Sequence, residues 1–228
     1  MTLAWLADRR RTQPAVGAWG GLVLAAKPFL GLLAVDWILR RQGRTLIAAG
    51  MAGAACLAVG LVTFGLASTL DWMVQLREVQ WTWAAMNGSL PGLVSRMLDA
   101  SPYHTPLVET PRLAAALSLM LVLLVAAISL FVARTADVDR RWALLLLACL
   151  LCSPLGWIYY GWILAGPMWL LWKDGRLWKP GLWLAAPGLF VPMWLTAPTT
   201  HALATLTIGS VYTWTYLGLW LAVLVRRD

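Results

Sequence analysis

Chemistry could begin at a lysine followed by a proline inside an apolar run. Lys27-Pro28 interrupts the stretch from Pro14 to Leu39. A lysine in such a stretch costs about 2.5–3.5 kcal/mol on insertion scales unless it is paired or snorkels to the interface. Pro28 lacks a backbone N–H and favours a break. Together they place a cation at the outer turn of a hairpin, where it either holds a lipid phosphate or serves as a snorkelling anchor. The second candidate is Ser153-Pro154-Leu155-Gly156-Trp157-Ile158-Tyr159-Tyr160. Proline and glycine end an apolar helix there, and Trp157, Tyr159 and Tyr160 emerge together. Such a break is tolerated at membrane depth only where protein or water covers the backbone. The rings suit stacking on a sugar or a prenyl chain, and equally an ordinary aromatic belt. The third is Asn87-Gly88-Ser89, a turn that opens a short helix over Leu90–Leu98 with Ser89 as N-cap and Arg96 near its end. Lys27, Asn87, Arg96, Trp157, Tyr159 and Tyr160 are the candidate substrate-binding residues.

Other motifs carry less. Cys149-Leu-Leu-Cys152 has CxxC spacing but lies in an apolar run, with no second pair and no nearby histidine, which argues against redox or zinc work. Asn87-Gly88-Ser89 also matches a glycosylation acceptor, but turn chemistry explains it. His104 and His201 fall near membrane exits, where a lone histidine is ordinarily solvated. Gly17 and Gly21 form a GxxxG that reads as close helix packing rather than dimerisation. There is no P-loop, Rossmann fingerprint or Ser/His/Asp set, and neither metal nor cofactor is called for. Asp71, Glu78, Asp99 and Glu109 are the acids available on the outer side, and their residue types fit surface charge better than catalysis.

The elements that must position these residues follow from composition. Of 228 residues 61% are apolar and 12% charged, and the mean hydropathy is +0.72. Soluble domains carry about 45–50% and 25% respectively, so a soluble fold is excluded and a multi-pass membrane protein remains. The 16 tryptophans suit the headgroup layer. The net charge of +8 resolves into clusters at Arg9–Arg11, Arg40–Arg44, Arg134–Arg141, Lys173–Lys179 and Arg226–Arg227. These read as cytoplasmic loops and not as a nucleic-acid surface. Only Lys27, Arg77, Arg96 and Arg112 lie outside them. If every cluster is cytoplasmic, both termini are inside and these four cations lie on or near the outer side.

The fold expected is all-α, a single transmembrane bundle over residues 1–228 with about eight membrane segments. These are a hairpin over Pro14–Leu39 broken at Lys27-Pro28, then Leu46–Leu70, Leu113–Ala133, Trp142–Trp157, Tyr160–Trp172, Leu177–Leu195 and Ala204–Val225. Tyr160–Trp172 is short for the roughly 20 residues of a span. The first apolar run has no convincing cleavage site and leads straight into further spans. An outer loop occupies 71–112. In it Trp72, Leu76, Val79, Trp83 and Met86 make one stripe of an amphipathic interfacial helix.

The motifs share a resemblance. The Gly-rich run into Lys27-Pro28-Phe29-Leu30 and Arg40-Arg41 resembles a segment of the GT-C membrane glycosyltransferases. Trp83-Ala-Ala-Met-Asn87-Gly-Ser89-Leu90-Pro-Gly92 is similar to their N-x-S-L-x-G outer-loop motif, and Cys152-Ser153-Pro154-Leu-Gly-Trp157 to their SP-x-x-W helix end. Their order resembles glycosyltransferase family 87, the polyprenyl-phosphate-mannose-dependent enzymes. The resemblance implies transfer of a sugar, mannose in that family, from a polyprenyl-phosphate donor to a glycolipid or glycan acceptor outside the cytoplasmic membrane. A carboxylate acts there as general base and the lipid phosphate leaves. It further implies that this chain matches the C-terminal part of the family, with the N-terminal helices and the carboxylate lying before it. Tyr159-Tyr160 stand where the family often has histidine. A non-catalytic membrane scaffold or subunit and a polyprenyl-lipid transporter are the alternatives. A transporter is disfavoured because Asp36, one of two charges within spans, lies one turn from Arg40 as a pairing partner.

Overall fold

Proline, glycine and paired arginines decide where the apolar runs stop being helix. The computed structural model describes residues 1–75, 81–100, 104–173, 183, 188, 190–191 and 201–225. These fold as two compact units, Met1–Gln80 and Trp81–Asp228, both all-α.

The first unit holds α1 (Thr2–Arg9), α2 (Gln13–Ala26), a 3₁₀ turn over Pro28–Gly31, α3 (Leu32–Leu39) and α4 (Gly43–Gln75). The expected break falls at Lys27. Its N–H still closes the last turn of α2 on the Val23 carbonyl, but its backbone has left the helix at φ −141°, ψ 77°. This follows the rule that the residue before proline is pushed out of the α region. Gly17 and Gly21 pack α2 against α4: a side chain on Gly17 would run into the Thr45 carbonyl, and one on Gly21 into the Ala49 backbone. Gly20 is faced by the Trp37 ring of α3. The Thr45 hydroxyl donates to the Gln13 carbonyl at 3.2 Å, tying the starts of α2 and α4. Asp36 is buried and accepts from Arg40 Nε at 3.0 Å, the pairing expected one turn apart. α4 is long and apolar enough to cross a membrane, and kinks at Gly65 (φ 79°, ψ 168°), a conformation open to glycine.

The second unit holds α5 (Leu90–Leu98), α6 (Pro111–Ala133), α7 (Val138–Cys152), a 3₁₀ turn over Ile158–Leu164, α8 (Ala165–Lys173), α9 (Ala202–Leu206), a 3₁₀ turn over Ile208–Ser210 and α10 (Val211–Leu224). α7 is the centre. Every residue from Arg141 to Leu151 is buried, as an all-round apolar helix requires, and α6, α8 and α10 pack around it. It begins under the Asp137 cap, whose carboxylate accepts from Arg140 N–H at 2.9 Å. It ends before Pro154, which holds Ser153 extended at φ −66°, ψ 140°. Arg140 donates to the Val223 and Leu224 carbonyls at the end of α10, at 3.3 and 2.9 Å. The α7–α10 pair is therefore antiparallel. The Trp220 indole donates to Ser129 Oγ at 2.9 Å, joining α10 to α6.

Among the described residues three helices are long and apolar enough to span a membrane: Gly43–Gln75, Pro111–Ala133 and Leu203–Leu224. The expected Trp142–Trp157 segment is cut to α7 by Pro154. The expected Tyr160–Trp172 segment is part 3₁₀ turn and part α8. The expected span at 177–195 lies largely outside the described residues. One expectation is corrected. The Trp72-to-Met86 stripe is not one interfacial helix: α4 continues to Gln75, Leu76 and Val79 lie outside the described residues, and Trp83 and Met86 sit in turns. The turns prevail because the Asn87 side chain captures the Thr82 carbonyl at 2.9 Å, bending 82–87 away from helical geometry.

Gly17→Leu should destabilise the chain by about 1–3 kcal/mol through overpacking against α4, while the same change at Gly53, which has open space around it, should be neutral. Thermal unfolding of the two variants in detergent compares them directly.

Candidate functional site

Two of the motifs singled out in the sequence meet in the second unit. Residues 86–88 and 156–158 pair as an antiparallel bridge. The Gly88 N–H donates to the Gly156 carbonyl at 2.9 Å, and the Ile158 N–H to the Met86 carbonyl at 3.0 Å. The two glycines permit the approach. A side chain on Gly156 would strike the Leu150 carbonyl, and one on Gly88 would lie 2.6 Å from the Tyr216 ring.

The Asn87 amide closes the junction. Its Nδ2 donates to the Thr82 and Pro154 carbonyls at 2.9 and 2.8 Å, and its Oδ1 accepts from the Ser89 and Gly156 N–H groups at 3.1 and 2.8 Å. Asn87 is fully buried, so a primary amide, with two donors and one two-lone-pair oxygen, is fully used. Both Nδ2 protons are occupied by protein, which removes the glycosylation reading. Ser89 caps α5 as expected, its Oγ accepting from the Gly92 N–H at 3.0 Å.

Arg96 holds the junction from the other side. It is 3% exposed. Its Nε donates to Ser210 Oγ, Nη1 to the Ala84 and Asn87 carbonyls, and Nη2 to Thr213 Oγ1, all at 3.0 Å. Burial pulls its pKa down to about 9, so it stays a cation at neutral pH. Among the described residues no carboxylate pairs with it, and four neutral oxygens solvate the charge. Ser210 and Thr213 were not identified from sequence. The available signal was weak, since their i, i+3 placement falls in a segment that also carries Thr205, Thr207, Tyr212 and Thr215.

Trp157 leaves this junction toward the surface and is flanked by Trp81 (ring centroids 6.4 Å, 56° between planes) and Tyr159 (6.4 Å, 30°). Trp81 and Tyr159 are exposed, and the Tyr216 hydroxyl donates to the Trp157 carbonyl at 3.3 Å. This makes an aromatic platform of three rings. Trp81 is an addition to the sequence-derived set. Tyr160 lies half-buried in the adjoining 3₁₀ turn.

The remaining candidates lie elsewhere. Lys27 belongs to the first unit, half-buried at the end of α2. Asp71 is exposed on α4, Asp99 closes α5, Glu109 is exposed before α6, and Glu78 lies outside the described residues. Cys149 and Cys152 form no disulfide among the described residues, and Cys152 donates to the Val122 carbonyl at 3.5 Å. His104 is less solvated than its loop position suggests. Its Nε2 is buried without a partner among the described residues. Burial and the Arg96 charge hold its pKa below the ordinary value, against the opposing pull of the Ser95 carbonyl and Asp99.

The sequence model of Glycosyltransferase family 87 matches residues 1–154, which covers the Lys27-Pro28 break, the Asn87 turn, α5 and the whole of α7 up to Pro154. The chain belongs to glycosyltransferase family 87. No curated protein and no solved structure matches it. Membership makes this a chain of a membrane glycosyltransferase family, acting between a sugar donor and an acceptor, and its apolar helices agree with a membrane setting.

Asn87→Ala would strand two carbonyls and two N–H groups in a buried junction and should cost about 3 kcal/mol or more. Arg96→Lys should cost a similar amount, because a point ammonium cannot span four oxygens set out for a planar fork. Both losses are read as earlier thermal unfolding, accompanied by a changed tryptophan emission from the platform.

Proposed function

We propose that the protein serves transfer of a sugar from a polyprenyl-phosphate donor to a glycolipid or glycan acceptor, with the Trp81–Trp157–Tyr159 platform as the surface against which the sugar or the first prenyl units lie. The observation that carries this is the bridge joining 86–88 to 156–158. It is locked by an amide and a guanidinium that are both spent on protein oxygens and N–H groups, and it presents aromatic faces outward. Indole and phenol faces suit the apolar side of a sugar ring and an isoprenoid chain. Asn87 and Arg96 act as positioning residues, Trp157 and Tyr159 as contacts, and Tyr160 as the flank of the platform. Lys27 is assigned separately to a lipid phosphate, as a cation at a proline break between apolar helices. Mannose is the sugar favoured by the motif resemblance.

The platform is placed on the outer side of the cytoplasmic membrane. In the second unit Arg140 touches the end of α10, whereas Arg96 touches its start. The Arg134–Arg141 cluster therefore lies at the end opposite the bridge. Positive charge is retained on the cytoplasmic side, which supports a cytoplasmic C-terminus, and the Arg9–Arg11 cluster supports the same side for the N-terminus by the same rule.

In a variant lacking the three native cysteines, a cysteine at Tyr159 should be labelled from outside in intact cells and one at Asp137 only after permeabilisation. The reverse pattern would overturn the sidedness.

Trp81→Ala with Tyr159→Ala should lower photo-crosslinking to a polyprenyl-phosphate mannose probe about tenfold without lowering the melting temperature, because both side chains are exposed. Lys27→Met should weaken retention of the phosphate-bearing lipid by a similar factor, a charge-assisted contact being worth about 1.5–3 kcal/mol. Wild-type crosslinking in the double variant would remove the platform from the reading.

A further inference from the structure

At the other end of α2 from Lys27, the first unit carries a cationic cleft that the proposed transfer reaction does not use. It is open, about 600 Å³ in volume, and lined by Arg11, Thr12, Gln13, Pro14, Arg41, Gly43 and Arg44. Three arginines line it and no acid does. Other arginines of the same clusters are engaged: Arg9 lies over the Trp5 ring at 5.2 Å and Arg40 is paired with Asp36. Arg11, Arg41 and Arg44 have no described ion-pair partner.

The backbone at two of these arginines is unusual. α1 and α3 end in the same motif. The Arg11 N–H bonds the Asp8 carbonyl and the Thr12 N–H the Ala7 carbonyl. Likewise the Arg41 N–H bonds the Ile38 carbonyl and the Gln42 N–H the Trp37 carbonyl, each at 2.9 Å. This closure needs a left-handed residue, and glycine is the usual occupant. Here arginine takes it twice, at φ 57° and φ 55°. Retaining positive charge on one side of a membrane does not call for arginine at these two positions, since Arg9, Arg10 and Arg40 already supply charge beside them. What the two left-handed arginines do share is the cleft.

We propose that this cleft binds a phosphate group, with Arg11, Arg41 and Arg44 as its ligands, at the end of α2 opposite the Lys27 break. Guanidinium forks match phosphate oxygens two at a time. The start of α2 adds to the field, since its first turn has no side-chain cap and helix N-termini favour anions. The cleft lies at the first residues of α4, a helix long enough to span the bilayer, so a lipid headgroup phosphate and a soluble phosphate can both reach it.

The test uses the full chain purified in detergent. Wild type and Arg11→Gly/Arg41→Gly/Arg44→Gln are compared for lipid retained by native mass spectrometry after exposure to mixed phosphatidylglycerol and phosphatidylcholine. Glycine suits both left-handed positions, so this variant should melt at or above the wild-type temperature in phosphatidylcholine alone. Its preference for phosphatidylglycerol should fall about tenfold. A second arm measures the melting temperature with inorganic phosphate. Stabilisation of wild type but not of the variant would support the same site with a soluble source, whereas preference for the lipid alone supports a headgroup. Wild type with neither preference nor stabilisation, or a variant that keeps both, overturns the proposal. Should the triple variant fail to fold, Arg44→Gln alone, at an exposed helix position, must still reduce binding.

Discussion

Everything the second unit offers at its surface depends on a carboxamide and a guanidinium that face inward. Asn87 bonds four backbone groups from three places in the chain, and its own carbonyl is held by Arg96. Neither segment it joins is regular structure. Residues 82–88 are turns and a bridge, and 153–157 is the non-helical step after α7. Buried backbone N–H and C=O groups must find partners, and inside an apolar bundle water is scarce. The side chain of one asparagine supplies what a longer strand pairing would otherwise provide. The platform rings keep their places because the backbone beneath Trp157 is fixed on both sides, by Gly156 to Asn87 and by the Trp157 carbonyl to Tyr216.

The same economy governs the glycines. Gly17 and Gly21 bring α2 onto α4, Gly88 makes room for the Tyr216 ring, and Gly156 lets one backbone run against another. In a membrane there is little hydrophobic gain in moving one apolar helix against another, and close backbone approach with dispersion contacts takes its place. Large side chains are then free to face outward. The exposed faces of α4 and α6 carry Val59, Val62, Phe64, Leu119, Leu123 and Phe131, which suits a lipid surround.

Much of this was legible in the sequence. Lys27-Pro28 as a break, the Asp36–Arg40 pair, the Ser89 cap with its helix over Leu90–Leu98, GxxxG as packing and the end of α7 at Ser153-Pro154 all follow from local rules acting over four residues or fewer. The motif resemblance pointed to the family that the match over residues 1–154 bears out. What could not be read was non-local. Nothing near Asn87 announces that its partners include the Pro154 carbonyl and the Gly156 N–H, some 67 to 69 residues away. Periodicity failed at Trp83 and Met86, which sit in turns, for the same reason: an apolar stripe at helical spacing is a local signal, and the bridge at 86–88 overrode it. His104 looked like a solvated loop residue because the sequence does not show that α5 covers it.

The Arg96 charge has a further consequence for the proposed reading. A buried cation without a carboxylate partner is costly, and four well-placed neutral oxygens offset that cost without cancelling the charge. Its field is therefore weakly screened within the protein, where salt does not reach. Arg96 bonds the carbonyl of Asn87, and Asn87 pairs with Trp157 through the backbone, so the charge reaches the central ring of the platform through one intervening residue. The rings attract apolar faces of a ligand, while the guanidinium favours a ligand that also carries negative charge. A neutral glycan satisfies only the first condition. The isoprenoid phosphate of the proposed reading, apolar along its chain and anionic at its head, would satisfy both.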